Sequence, residues 1–549
     1  MSKQDITTLR QLLLTSCESY ADNTAFLLRD KADVLYNLSY RDFLKDVKAV
    51  AAYLDDKVPL EGKVAIFMKN CYEWCLFYFA VAFIGRVVVP LDKDLPFEEL
   101  QNIIVFAEID AVAVDTQGAD LLLKNYDKLE RHLDIICSEE YISEKVISLS
   151  DAVKQGGSSM EKGGASYMQR EINPDSLAVL LFTSGTTGMT KGVMLSNRNI
   201  ISDLINVSRC VSTNETDRTL SVLPLHHTYE AIAFLMIIHS GGTISFSRGL
   251  RYLKKDFTEV KPTIFVTVPL MLEKLHSKIM SKMQNEGKRT KAKIVAKLSP
   301  LIPKENRAKI FSEIHSFFGG ELRMIIVGAA ALQKEVAEDF SAFAIPVIIG
   351  YGLTECSPIV ICNTDEAPTP DSIGKPLPEV QAKIENPDEN GIGEICVKGP
   401  MVMLGYYKNE AQTKESMKDG YFHTGDIGFI DKQGNYHISG RIKNVIITRN
   451  GKNVYPEEIE HYLLRHSVIA ECVIRCVDTD IIEAEIFPDE RAILERLKKN
   501  AVTKDEVSDI IKQTVRLVNS KLPSYKRVKK VVLRHDEFPK TSTHKIKRQ

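Results

Sequence analysis

The chain has 549 residues, a formal net charge of −2, and hydrophobic and charged contents of 44% and 26%. It is too long for one ordinary core and too apolar for a disordered chain, so two or more globular domains are expected. The near-neutral balance gives no global pull toward nucleic acid. Ten scattered cysteines without a Cys-x-x-Cys pair argue against a zinc scaffold and for reduced, buried thiols.

The first twenty residues have no basic segment ahead of a long apolar run, so no secretory leader is expected at this end. A cytoplasmic location follows as the expectation. From residue 40 to 115 the pattern alternates. YRDFLKDVKAVAAYL reads as a helix, KVAIFM as a buried strand, EWCLFYFAVAFIG as a helix, VVVPLD as a strand, PFEELQNIIVFA as a helix and AVAVD as a strand. This βα rhythm predicts a parallel sheet with helices on its faces, and it returns at 220–270 and 320–350. The apolar runs at 74–85 and 230–242 fall short of the ~20 residues of a membrane span and are read as buried elements. Residues 153–170, polar and glycine-rich, read as an exposed loop. Between 278 and 309, ten Lys and Arg residues face only Glu286 and Glu305. That segment is either a solvated face or a peripheral contact with the inner face of an anionic membrane. From about 372 short strands alternate with Gly, Pro and Asn turns, and beyond Arg441 a final α/β segment of about 105 residues is large enough for a small domain.

Five motifs carry chemistry. Ala178–Phe182 reads as a strand leading into TSGTTGMTKG. Thr183, Ser184, Thr186 and Thr187 supply hydroxyls, Gly185, Gly188 and Gly192 let the backbone approach a ligand, and Lys191 adds a cation. This is the chemistry of a phosphate cradle. It is not a Walker loop, which needs Gly-Lys-Ser/Thr in succession; a nucleotide loop of another kind and a polar turn both fit. GYGLTECSP (350–358) places Tyr351, able to stack on a purine, ahead of Thr354 and Glu355, a carboxylate able to hold Mg²⁺. A plain strand-to-loop turn fits it too. In YFHTGDIGFID (421–431), Asp426 suits either the hydroxyls of a ribose or a tight turn. GRIKNVIITRNGKNVYPEEIE (440–460) and PKTSTHKIKR (539–548) complete the series.

In this order and spacing the motifs resemble the adenylate-forming superfamily of acyl-CoA synthetases, firefly luciferase and peptide-synthetase adenylation domains, from about residue 20 onward. LPLHHTYE (223–230), the position of Lys443 and RNGKNVYPEEIE look most like medium- to long-chain fatty acyl-CoA synthetases. The resemblance implies an α/β fold: a large N-terminal domain of layered α/β subdomains plus a β-rich subdomain (1–440), a hinge at 441–443, and a small mobile C-terminal α+β domain (444–549). It implies that Thr183, Ser184, Gly185, Thr186, Thr187 and Lys191 wrap the β- and γ-phosphates of ATP. Gly328, Ala329 and Ala330 would line the adenine pocket, with Tyr351 and Gly352 against the base. Thr354 would contact the α-phosphate, and Glu355 with Thr186 would hold Mg²⁺. Asp426 and Arg441 would hold the ribose, and Lys545 would bridge the acyl carboxylate and the α-phosphate. His227 would order the acyl site and His226 is read as structural. Lys443 would be the pivot, and Gly451 would face the pantetheine of CoA.

The implied activity is AMP-forming activation of a fatty acid and transfer to CoA, by a monomer or homodimer without nucleic acid as partner. Tyr229, Phe234, Leu235 and Met236 are candidates for an acyl tunnel. Two departures stand out: Thr190 replaces the usual proline before the loop lysine, and His544 replaces the glycine common before the last lysine. A ligase loading an acyl carrier protein is the alternative enzyme. A non-catalytic acyl- or nucleotide-binding protein is the alternative of another class, disfavoured by the presence of Lys191, Glu355 and Lys545.

Overall fold

The computed structural model describes residues 5–161, 166–183, 191–287, 294–295, 298–366, 368–448, 452–478, 481–540, 546 and 548. The chain forms two compact units, one of residues 1–381 with 397–422 and one of residues 382–396 with 423–549.

The first unit is layered α/β, as the alternating pattern predicts. One sheet runs Gly405–Tyr406, Lys191–Ser196, Leu177–Thr183, Val87–Pro90, Lys63–Phe67, Ala111–Val114, Asp134–Cys137, Val146–Ser148. Its members from Leu177–Thr183 to Val146–Ser148 pair in parallel. In the second sheet Thr243–Phe246, Arg218–Ser221, Ile264–Thr267, Met324–Val327 and Val347–Gly352 form the parallel centre. Strands such as Val87–Pro90, Ala111–Val114 and Ile264–Thr267 are short, nearly unbroken apolar runs buried along their whole length, as expected where both faces of a sheet are covered. The helices Tyr72–Phe83 and Thr228–Ser240 are apolar on nearly every side, and the first is buried from Trp74 to Phe83. That is the signature of a helix enclosed by protein. Among the described residues no helix is long and apolar enough to cross a membrane.

In the second unit, strands Tyr421–Ile430 and Tyr436–Arg441 pair antiparallel. A three-stranded sheet of Ile469–Asp478, Ile481–Pro488 and Lys530–Leu533 carries the helices Pro456–Leu464 and Lys504–Asn519. Val454, Ile459, Leu463, Ile486 and Ile511 share its core. The longer helix begins at a capping box, with Thr503 and Glu506 satisfying each other's backbone N–H groups. This small α+β body matches the expected texture of the chain's last hundred residues.

One expectation fails. The described part of 153–170 is not an exposed loop: Leu149–Glu161 is a helix and Tyr167 is fully buried, its hydroxyl donating to the Lys48 carbonyl at 3.0 Å. The reason is close packing. A Cβ on Gly156 would lie 1.9 Å from the Ala49 carbonyl oxygen of the helix Tyr40–Lys57. The glycine marks an approach of two helix backbones, and its low propensity is outweighed by that contact. Helix propensity alone predicts that Gly156→Ala stabilises by about 1 kcal/mol. We expect the opposite, a fall of several degrees in thermal midpoint. A raised midpoint in a melting experiment would refute the packing argument.

Candidate active site

The strands Leu177–Thr183 and Lys191–Ser196 pair antiparallel, with Thr183 opposite Lys191. The hydroxyl-rich motif therefore spans the closed end of a hairpin, unlike the strand-to-helix junction of a Walker loop. Ser184, Gly185, Thr186, Thr187 and Thr190 lie outside the described residues. Beside Lys191 the neighbouring strand Gly405–Tyr406 brings in Tyr406, paired with Val193. The Lys191 ammonium lies 5.4 Å from the Tyr406 ring centroid, within cation–π range. The Tyr406 hydroxyl donates to Glu355 Oε1 at 2.8 Å. Burial and the Glu355 charge push the Tyr406 phenol far above its ordinary range, so it stays a donor. The fold thus gathers Lys191 and Glu355, 164 positions apart in sequence, around a tyrosine that the sequence analysis passed over. Its one local signal was the aromatic pair in MLGYYKN.

Glu355 reaches this place through a tight turn. The strand Val347–Gly352 ends with Tyr351, 7% exposed, and Gly352. A Cβ on Gly352 would lie 1.7 Å from the Pro358 carbonyl oxygen, which accepts from Leu353 N at 2.9 Å. Only glycine lets the chain fold back so closely. A 3-10 turn, Thr354–Cys356, follows, and the Glu355 carbonyl accepts from Met403 N at 2.8 Å. On the adjacent parallel strand, Met324–Val327 ends at Gly328, Ala329 and Ala330. Ala329 has φ +71°, a left-handed conformation costly for a residue with a Cβ and often found at functional sites. Gly328 sits against the Tyr229 ring, where a Cβ would come within 3.0 Å. Gly328, Ala329, Ala330, Tyr351, Gly352, Thr354 and Glu355 thus lie at the carboxyl ends of parallel strands, where open α/β sheets bind ligands.

His227 is the residue before the helix Thr228–Ser240. Its ring lies 4.2 Å from that of His226. His226 is mostly buried, which lowers its pKa and favours the neutral imidazole, although Asp92 lies 3.9 Å away. The helix separates two apolar cavities. One is lined by Tyr229, Met236, Val266, Ile326, Gly350 and Cys362, among others. The other includes Tyr78, Leu181, Leu225, Thr228, Leu235 and Ser357. Tyr229, Leu235 and Met236 are cavity walls as expected. Phe234 is not: it packs into the core with its ring 5.6 Å from that of Phe79 and 6.3 Å from that of Tyr78. In the helix's first turn Glu230 is buried, and its Oε2 meets no partner among the described residues. Burial pushes its carboxyl up to about 8, against a hydrogen bond with Ser221.

In the second unit Asp426 faces Arg441 across the strand pair, Oδ1 to Nε at 2.7 Å. The turn before Asp426 is braced: Thr424 Oγ1 donates to the Ile395 carbonyl at 2.7 Å and accepts from Asp426 N at 3.0 Å. Glu394 accepts from Gly425 N at 2.9 Å and pairs with His423 Nδ1 at 2.8 Å. Lys443 is exposed in the 3-10 turn Ile442–Asn444. Gly451 and Lys545 lie outside the described residues. Both flanks of 541–545 are held: Lys540 bridges to Ile546 and pairs with Glu471 and Glu537, and Arg548 pairs with Glu460.

The profile of the AMP-binding enzymes matches residues 13–407, and that of the AMP-binding enzyme C-terminal domain matches residues 443–549. A human long-chain-fatty-acid–CoA ligase 6 is 31% identical over 86% of this chain and 74% of its own. A chloroplastic long-chain-fatty-acid–[acyl-carrier-protein] ligase of Arabidopsis thaliana is 29% identical over 86% of this chain and 75% of its own. Among solved structures, ATP-bound MatB from Rhodopseudomonas palustris superposes with a TM-score of 0.76 at 24% identity, covering 98% of this chain and 97% of its own.

The buried Glu230 gives a pH test. Its folded pKa of about 8 exceeds the ordinary 4.5, so the folded state keeps its proton where the unfolded state has lost it. Stability is therefore fully present below about pH 4.5 and is lost at roughly 1.4 kcal/mol per pH unit up to about pH 8. Glu230→Gln removes this term. Its thermal midpoint is expected to gain on the wild type steadily between pH 5 and pH 8; a constant difference would sink the assignment.

Proposed function

Because the chain belongs to the AMP-binding enzyme family, we propose that it is an ATP-dependent ligase joining a fatty acid to the thiol of coenzyme A through an acyl-adenylate. The observation that carries the fatty-acid reading is the apolar cavity beside the helix Thr228–Ser240, which reaches Gly350, the residue before Tyr351. Its lining suits a hydrocarbon chain and offers no partner to a charged acyl tail.

The chemistry runs in two steps. A carboxylate oxygen of the acid attacks the α-phosphorus of ATP, and the bond to pyrophosphate breaks. The thiol sulfur of CoA then attacks the adenylate carbonyl, the bond to AMP breaks, and the thiol proton is released. The first step brings two anions together, so positive charge and oriented donors lower its barrier. Lys191 and the hydroxyls of 183–187 are assigned to the outer phosphates, and Thr354 to the α-phosphate. Glu355 offers the hard carboxylate oxygen that Mg²⁺ takes, and Tyr406 fixes its orientation. Bound there, the ion would offset phosphate charge. Asp426 and Arg441 form a donor–acceptor pair for ribose hydroxyls. Lys545 is assigned to the developing charge of adenylation. His227 orders the acyl entrance, Lys443 is the pivot between the two steps, and Gly451 admits the pantetheine arm. A second acceptor, an acyl carrier protein, is suggested by the similarity to the carrier-protein ligase of Arabidopsis.

Pyrophosphate release with ATP, Mg²⁺ and acids from acetate to oleate tests the reading. Acids of C8 to C18 are expected to turn over only when CoA is present, and Lys545→Ala to lose adenylation. Adenylate formation that CoA does not accelerate would move the assignment to the carrier-protein ligase.

Tyr406→Phe removes one hydrogen bond to a charged group, worth roughly 1.5–3 kcal/mol. The Mg²⁺ concentration for half-maximal adenylation is expected to rise at least tenfold with little change in the KM for the acid. An unchanged Mg²⁺ dependence would show that Tyr406 does not orient Glu355.

A further inference from the structure

The basic run between 278 and 309 has no part in the chemistry above. Its surroundings are firmly built. Leu272 and Ile279 of the helix Pro269–Asn285, with Val295, Phe311 and Ile314, are buried in one core with Phe257 and Phe340. Ile302, Met280 and Met283 pack against the same core. The described residues of the segment are thus anchored through Ile279, Val295 and Ile302.

The exposed side chains of the segment are unusual. Ile294 is 54% exposed, Leu298 46%, Leu301 81% and Ile310 46%, all within seventeen residues. Single exposed aliphatic residues are ordinary; several along one short segment call for a partner. Lys304 and Lys309 of the same stretch are exposed, as is Lys278 on the helix Pro269–Asn285. Among the described residues of the segment, neutralisation is slight. Lys282 meets Glu286 and Glu313, each at 3.7 Å, and half-buried Arg307 donates to the Ser341 carbonyl. Ten basic residues against two acidic ones, in a chain of net charge −2, concentrate positive charge here.

We propose that the surface formed by Ile294, Leu298, Leu301 and Ile310 with Lys278, Lys304 and Lys309 docks on an anionic phospholipid bilayer. Aliphatic side chains flanked by lysines match the two layers of such a surface: the aliphatic groups enter the acyl boundary and the ammonium groups meet the headgroup phosphates. A nucleic acid would use the charge and have no use for the aliphatic groups; sequence-tolerant strand binders present aromatic rings, and the exposed large apolar residues of 294–310 are all aliphatic. This inference does not depend on the acid or the acceptor proposed above.

The test is flotation of the full-length protein with vesicles of pure phosphatidylcholine or with about a third phosphatidylglycerol. Each basic residue at an anionic surface contributes roughly fivefold to partitioning. The protein is expected to float with the anionic vesicles at low salt and not with the neutral ones. The triple variant Lys278→Glu, Lys304→Glu, Lys309→Glu should lose at least a hundredfold in partitioning. Leu298→Ser with Leu301→Ser and Ile310→Ser should also lose binding while all charges remain. Both variants should keep the wild-type melting curve and turnover of a water-soluble medium-chain acid. Equal flotation of wild type and both variants would overturn the proposal. So would absence of flotation at low salt, or tighter binding to single-stranded DNA than to anionic vesicles.

Discussion

The hydrogen bond from Tyr406 to Glu355 ties together three stretches of chain that sequence keeps far apart. The donor stands on the strand Gly405–Tyr406, which pairs with Lys191–Ser196. The acceptor stands in the turn Thr354–Cys356, and that turn's own carbonyl receives Met403 N just upstream of the tyrosine. Moving Tyr406 would disturb the wall beside Lys191 and leave a carboxylate oxygen without its donor. A hydrogen bond to a charged group is among the stronger ones, worth roughly 1.5–3 kcal/mol. Burial and the carboxylate's charge both keep the phenol protonated, so the tyrosine is the donor of this bond. One Glu355 oxygen is thereby engaged.

The glycines show how differently one residue type can read. Gly352 was legible because the sequence around it, GYGLTE, has polar and aromatic residues that belong at a strand's end. The structure adds the cause, a backbone approach that leaves no room for a Cβ. Gly156 was not legible, because the same residue in a polar stretch reads as a turn, and the helix backbone that it admits is more than one hundred residues away in sequence. The parallel strands were legible for a local reason: burial on both faces leaves unbroken runs such as VVVP and IFVT. Contacts between distant segments leave no such trace. Tyr406 had nothing in its neighbourhood to mark it as Glu355's partner, and the apolar run at 230–242 marked a buried element without telling Phe234, in the core, from Leu235, a cavity wall. Composition gave the charge of 278–309, and only the fold shows that its aliphatic neighbours face outward.

The helix Thr228–Ser240 is where these constraints meet. It is apolar around its circumference because it has no solvent face: two cavities and a packed core surround it. A carboxyl in its first turn would ordinarily be stabilised as an anion by the helix dipole, at about 0.3–1 kcal/mol. Glu230 goes the other way, held up to about 8 by burial. Desolvation exceeds the dipole term several-fold, so at neutral pH the residue is mostly protonated. The positive end of the helix, next to His227 and Thr228, is then left uncompensated by Glu230. A charged glutamate there would set an anion close to cavities whose walls are otherwise apolar, and would repel any carboxylate brought to the helix end. Keeping Glu230 neutral makes the same burial that excludes water from the cavities compatible with an acid whose own carboxylate must arrive charged.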